Sequence, residues 1–224
     1  MIKCVIFDID GTLYSFKDSN KAALDCLREY CAKNFGWSSE EFDEKHLAVQ
    51  HEIYNDLGYN GSCRDRMLRY QKMLEQSGLP LYPHAVKLYE LYWGKMIDSL
   101  SPNDERTEVF KALKAKGLRV GIGSDMTPYI QMLKLERMEI LQYIDFVVTS
   151  EEAGLEKPEP PIFNMCLRKA GCSANECLFI GDDLKKDYQG AILAGMNALW
   201  INTEADDVKG VARITSLNQI LEHV

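Results

Sequence analysis

Helix-like and strand-like patterning alternate from residue 102 to the C-terminus, and that alternation leaves few folds open. Helical segments at 109–116, 129–140, 161–170 and 188–194 are each followed by a short strand-like run, at 118–122, 146–148, 177–180 and 198–201. A helical segment at 217–223 closes the chain. Strands joined through helices make right-handed crossovers, so they lie parallel in one sheet with helices on both faces. Cys4, Val5, Ile6 and Phe7 supply a further strand near the N-terminus. Their unbroken apolarity suits a strand buried on both faces, and Gly11 ends it. The expectation is an α/β fold with a doubly wound parallel sheet.

Between that first strand and residue 102 the strand character vanishes. Residues 19–35 are amphipathic and stop at Gly36. Ser38, with Glu41 three positions on, reads as a capping box that opens a helix running to 57. A third helical segment spans 62–77, and a fourth starts at Pro83 and carries Leu88, Leu91, Tyr92, Trp93 and Met96. Helices in series without strands read as an insert. The expected organisation is a core of residues 1–14 and 99–224 with a helical domain of residues 15–98, hinged where the chain crosses between them. Arg64, Arg66 and Arg69 read by default as a solvated helix face, with contact to an anionic substrate as the alternative.

The 224 residues carry a formal net charge of −8, whereas nucleic acid and anionic membranes call for a basic footprint. Neither partner is expected. Seven cysteines, odd in number and without CxxC spacing, read as buried or incidental thiols of a reducing compartment. No apolar stretch approaches membrane-spanning length, and the N-terminus enters a strand at once. The expected setting is the cytoplasm, with the chain a monomer or weak homodimer.

Chemistry gathers at the strand ends. Asp8 and Asp10 leave the first strand at its carboxyl end, the edge where open parallel sheets bind ligands. Strand alternation points both side chains the same way, and close carboxylates repel unless a cation or a shared proton offsets the repulsion. A divalent metal is the simplest answer; an ordinary Asp-Gly-Thr turn is the plainer one. The strand at 118–122 runs into Gly123, Ser124 and Asp125, where Ser124 or Thr127 can also be read as a helix cap before Pro128. Lys157 precedes Pro158, which holds it to an extended backbone. The strand at 177–180 runs into Gly181, Asp182 and Asp183, with Asp187 further on.

With these four segments in this order, the chain resembles the haloacid dehalogenase-like (HAD) hydrolase superfamily, which is mostly aspartate-nucleophile phosphatases. The resemblance runs over the full length. It implies a Rossmann-like core, with the helical insert as the C1-type cap of a subfamily I member. It also implies Mg2+-dependent hydrolysis of a small phosphorylated metabolite, nucleotidase-like or phosphoglycolate-phosphatase-like. By the same resemblance Asp8 is the nucleophile that forms an aspartyl-phosphate, and Asp10 is the general acid and base. Mg2+ falls between the Asp8 side chain, the Asp10 carbonyl and the Asp182 side chain. Asp187 stands behind them, and Asp183 is the alternative ligand. Phosphate falls to the Ser124 hydroxyl, the backbone around Asp125 and Gly11, and Lys157, which bridges Asp8 and the phosphate. One departure stands out: many relatives read Ser-Asn or Thr-Asn where this chain has Ser124-Asp125, which adds negative charge near the phosphate. Haloacid dehalogenases proper lack the second Asp of the first motif, so Asp10 favours phosphoryl chemistry. A phosphomutase of the same superfamily and an inactive binding or regulatory module are the alternatives.

Overall fold

The structure is a computed structural model that describes residues 1–58, 60–204, 206 and 208–224. The chain forms two compact units, Met1–Ser15 with Ser101–Val224, and Phe16–Leu100.

The first unit is built on a sheet of six strands: β1 (Cys4–Phe7), β2 (Arg119–Ser124), β3 (Phe146–Thr149), β4 (Cys177–Gly181), β5 (Asn197–Ile201) and β6 (Arg213–Ile214). All pairings are parallel, and the order is β3-β2-β1-β4-β5-β6. The chain winds outward from β1 through β2 to β3, then returns to the other side of β1 for β4. The winding reverses there, and such a reversal opens a crevice at the carboxyl ends of the strands. Phe7 lies level with both Ile122 and Ile180, so the residues after β1 and the ends of β2 and β4 emerge side by side.

The second unit holds α1 (Phe16–Phe35), α2 (Ser39–Leu57), α3 (Arg66–Gln76) and α4 (His84–Asp98). Ser38 caps α2, its Oγ accepting from the Glu41 N–H at 3.2 Å. The helix expected at 62–77 is divided: a 3-10 turn covers Gly61–Arg64, and Asp65 restarts the chain by accepting from the Met67 N–H at 2.7 Å. Leu27, Phe42, Ile53, Tyr70, Met73, Leu88, Tyr92 and Met96 are buried in this unit. Arg66 and Arg69 are buried with them, at 7% and 3% exposure, which overturns the solvated-face reading for both. They fall on the stripe that carries Tyr70 and Met73, and that stripe faces inward.

The helices of the first unit are α5 (Asp104–Ala115), α6 (Pro128–Arg137), α7 (Ser150–Ala153), α8 (Pro160–Ala170) and α9 (Gly190–Leu193). Alternation sorts the core onto two sheet faces. Cys4, Ile6, Cys177 and Phe179 pack with Ile162, Phe163 and Cys166 of α8, while Phe7 stacks on Phe110 of α5 at 4.9 Å. The helix expected at 188–194 begins instead as a wide turn, Leu184–Gln189, because the Asp183 carboxylate accepts from the N–H groups of Lys185 and Lys186, both at 2.9 Å. β6 has two residues, too few for any periodicity to show, and the closing helix is of 3-10 type, Leu217–Glu222. No described helix is long and apolar enough to cross a membrane.

Candidate active site

Asp8 continues the line of β1, its N–H donating to the Ile180 carbonyl at 2.9 Å. Against it lies Lys157, carried on the segment before α8. The Lys157 Nζ sits 2.8 Å from Asp8 Oδ1 and 2.6 Å from Asp187 Oδ1, and it donates to the Gly123 carbonyl at 3.1 Å. The three side chains are nearly shut off from solvent, at 5% for Asp8, 3% for Lys157 and 1% for Asp187. Asp182 joins them: one oxygen from each of Asp8, Asp182 and Asp187 lies within 4.8 Å of the others, a group that can hold a metal ion. Three carboxylates facing one ammonium leave two negative charges over when all are ionised, which is the charge a divalent cation would balance.

Two glycines permit this convergence. Gly11 has φ +90°, and a Cβ there would stand 2.2 Å from an Asp182 carboxylate oxygen. A Cβ on Gly181 would stand 2.2 Å from the Asp187 carboxyl carbon. The wide turn after Asp183 swings Asp187 back over the end of β4, and the Asp183 N–H donates to Asp187 Oδ2 at 3.0 Å. Asp183 itself is spent on capping that turn.

Burial sets the titration of the acidic group. It pushes Asp182 up to about 6, helped by the neighbouring Asp8 charge. It pushes Asp187 up to about 7, against the pull of Lys157. Burial alone would lower Lys157, but Asp187, Asp8 and Asp125 outweigh it and hold the ammonium well above its ordinary value.

Asp10 departs from the expectation that it points the same way as Asp8. β1 ends at Phe7, so the strand no longer governs side-chain direction two residues later. The Asp10 carboxylate instead receives Lys134 Nζ at 2.5 Å, Gln131 Nε2 at 3.2 Å and the Tyr14 hydroxyl. It is not part of the acidic group around Lys157. Burial would raise this carboxyl, but the Lys134 charge and the three hydrogen bonds prevail and hold it below its ordinary value.

Ser124, at the end of β2, makes no helix-cap bond; its hydroxyl accepts from Gln131 Nε2 at 2.8 Å. The same amide donates to the Asp125 carbonyl at 2.9 Å. The Asp125 carboxylate accepts from the Lys157 N–H and from Lys186 Nζ, each at 2.9 Å. Lys186 also reaches Glu156 at 3.1 Å, so it is a counter-charge to two carboxylates.

Sequence reasoning missed Lys134, Gln131 and Lys186. A signal existed for the first two. Buried positions on α6 include Ile130, Gln131, Lys134 and Leu135, so an amide and an ammonium occupy an otherwise apolar stripe. Both side chains are fully buried.

The raised Asp182 carboxyl has a consequence for metal-free protein. The folded state binds that proton more tightly than the unfolded chain, so the group's contribution to stability is present below about pH 4 and is lost as pH rises toward about 6. Without divalent cations, Asp182→Asn should raise the urea midpoint at about pH 7, and this gain should vanish near about pH 4. A gain that stays constant across that range, or a loss at neutral pH, would contradict the reading.

The sequence pattern of the haloacid dehalogenase-like hydrolases matches residues 2–195. The chain is 30% identical over 223 residues to a ribulose-1,5-bisphosphate 5-phosphatase of Halopiger xanaduensis, covering 98% of this chain and 93% of that one. It is 30% identical over 213 residues to a glyceraldehyde 3-phosphate phosphatase of Methanothermobacter thermautotrophicus, covering 93% and 89%. The crystal structure of a HAD phosphatase from Thermococcus onnurineus matches with a TM-score of 0.74 at 27% identity, over 99% of this chain and 97% of that one. A family pattern over most of the chain, relatives along nearly all of it and the sheet order described above agree: the chain belongs to the haloacid dehalogenase-like hydrolases.

Proposed function

We propose that the chain hydrolyses a small phosphate monoester with Mg2+, through a phosphoryl group carried on Asp8. The observation that carries this reading is the Lys157 ammonium held between Asp8 and Asp187 beside Asp182. The relatives named for ribulose-1,5-bisphosphate and glyceraldehyde 3-phosphate support a phosphorylated metabolite as substrate.

The side chains of Asp8 and Asp182, with the Asp10 carbonyl, are the proposed metal ligands, and Asp187 completes the acidic set. Bound there, Mg2+ would supply positive charge and oxygen coordination that hold a phosphate oxygen against Asp8. Asp8 attacks phosphorus and the alcohol leaves; water then hydrolyses the aspartyl-phosphate. Lys157 offsets the repulsion between Asp8 and the incoming phosphate. The Ser124 hydroxyl and the backbone N–H groups near Asp125 and Gly11 hold the phosphate oxygens. The Asp125 charge is turned toward Lys186, which removes the objection raised by its place in the motif.

Asp10 is the proposed acid and base. Held ionised by Lys134, it rests in the base form that suits the second step. The proton for the leaving group arrives on the phosphate monoester monoanion; Asp10 takes it up and, as general acid, passes it to the leaving-group oxygen as the P–O bond breaks. The free cysteines fit the reducing, cytoplasmic setting proposed for the chain, which is proposed to act as a monomer or weak homodimer.

The wild-type chain should release phosphate from p-nitrophenyl phosphate over many turnovers, only with Mg2+, and Asp8→Asn should release none. A mutase would give very little release and a binding module none; turnover retained by Asp8→Asn would refute the assignment.

Lys134 tests the role of Asp10. Lys134→Met unties the acid, so kcat/KM for alkyl phosphates should fall by about 10²-fold or more, in the usual range for general acid catalysis. For p-nitrophenyl phosphate, whose leaving group needs no proton, kcat/KM should fall less than about tenfold. An equal loss across a series of leaving groups would mean that Lys134 serves folding alone.

A further inference from the structure

The second unit buries two positive charges for which the described residues offer no counter-charge. On α3, Arg66 donates to the Arg64 carbonyl at 3.1 Å and the Tyr92 hydroxyl at 3.3 Å, and its guanidinium lies 5.1 Å from the Tyr92 ring centroid. One turn on, Arg69 donates to Gln50 Oε1 at 3.1 Å and contacts His46 Nε2 at 3.4 Å. Every one of these partners is neutral. Tyr92 donates its own proton to Asn20 Oδ1 at 2.6 Å. Other cations of the unit are treated differently: Arg28 pairs with Asp25 and Asp43, and Lys72 with Glu52 and Asp56.

Polar atoms are left over. The Nε of Arg66, the Nε of Arg69 and the hydroxyl of Tyr70, all buried, have no hydrogen-bond partner among the described residues. Tyr70 follows Arg69 directly on α3, its ring 6.2 Å from Tyr92 and 6.4 Å from His46. A buried guanidinium is tolerated when a carboxylate pairs with it; unpaired, it loses hydration and gains little in return. Packing needs alone would be met by a methionine or leucine on this stripe at no such cost. His46 does not add to the charge, because burial and the nearby arginines push it down to about 3 and hold it neutral.

We propose that Arg66, Arg69 and Tyr70 form an oxyanion site of the second unit that takes a phosphate group. Guanidinium forks match phosphate oxygens two at a time, and the tyrosine hydroxyl adds a neutral donor. The group can come from a second phosphate on the substrate or from a separate phosphorylated molecule. Only the first source rests on the phosphatase reading.

The test uses the full-length chain labelled with ¹⁵N. Arginine Nε–H cross-peaks of Arg66 and Arg69, assigned by their disappearance in Arg66→Lys and Arg69→Lys, are followed as inorganic sulfate replaces chloride at constant ionic strength. Saturable shifts of both peaks are expected; peaks that stay fixed, or drift without saturating, overturn the proposal. Kinetics of Arg69→Met then separate the sources. If the substrate supplies the group, kcat/KM for a sugar bisphosphate falls by about 10²-fold while that for p-nitrophenyl phosphate holds, the loss of two charge-assisted hydrogen bonds. Equal kinetics for both esters, with the sulfate shifts present, assign the site to a separate phosphorylated molecule. A wild-type chain that hydrolyses no ester would sink the phosphatase reading and leave the sulfate result standing.

Discussion

One ammonium group holds the proposed catalytic apparatus together. Lys157 is almost wholly buried, and its Nζ is shared between Asp8 and Asp187, which come from the ends of two different strands. Without that charge two buried carboxylates would face each other in a medium that screens poorly, and at least one would take up a proton. With it, the Asp8 carboxylate is paired and held in place, as a nucleophile must be. The arrangement is incomplete: Asp182 brings a third carboxylate, whose titration burial raises first and the neighbouring Asp8 charge second. The same deficit that makes the metal-free acidic group uncomfortable is what would make it bind a divalent cation.

Two further lysines keep the surrounding acids apart. Lys134 takes Asp10, and Lys186 takes Asp125 together with Glu156. Asp10 thus has a counter-charge of its own, while Asp125 and Glu156 share one. Asp8 and Asp10 can then carry different duties two residues apart. Gln131 links the two zones, touching Asp10, Ser124 and the Asp125 carbonyl with a single amide. The helix bearing Gln131 and Lys134 is therefore as much a part of the site as the strand ends.

Much of this was legible in the chain itself, for definable reasons. Strands buried on both faces are largely apolar runs, unbroken in β1 and in β4 up to its closing glycine and broken in β2 by Arg119, so all three were readable, and so were the aspartates and the serine that leave them. Lys157 was marked by the proline after it. The direction of Asp10 was not legible, because it depends on a lysine more than a hundred residues away and on a turn in which strand alternation has lapsed. The pairing of Lys186 was not legible because its partners, Asp125 and Glu156, are distant in sequence. β6 and the wide turn before α9 were missed because two residues carry no period and because the turn is set by Asp183 side-chain bonds. Arg66 and Arg69 read as polar only until the fold turned their stripe inward.

The claim that Asp8 is the covalent carrier is tested most directly by stopping the reaction in acid during Mg2+-supported turnover of a ³²P-labelled monoester and mapping the label. The account predicts a labile phosphoryl group on the peptide containing Asp8, absent when Mg2+ is left out. Label on any other residue, or brisk turnover with no covalent phosphoryl enzyme at any time point, would contradict it.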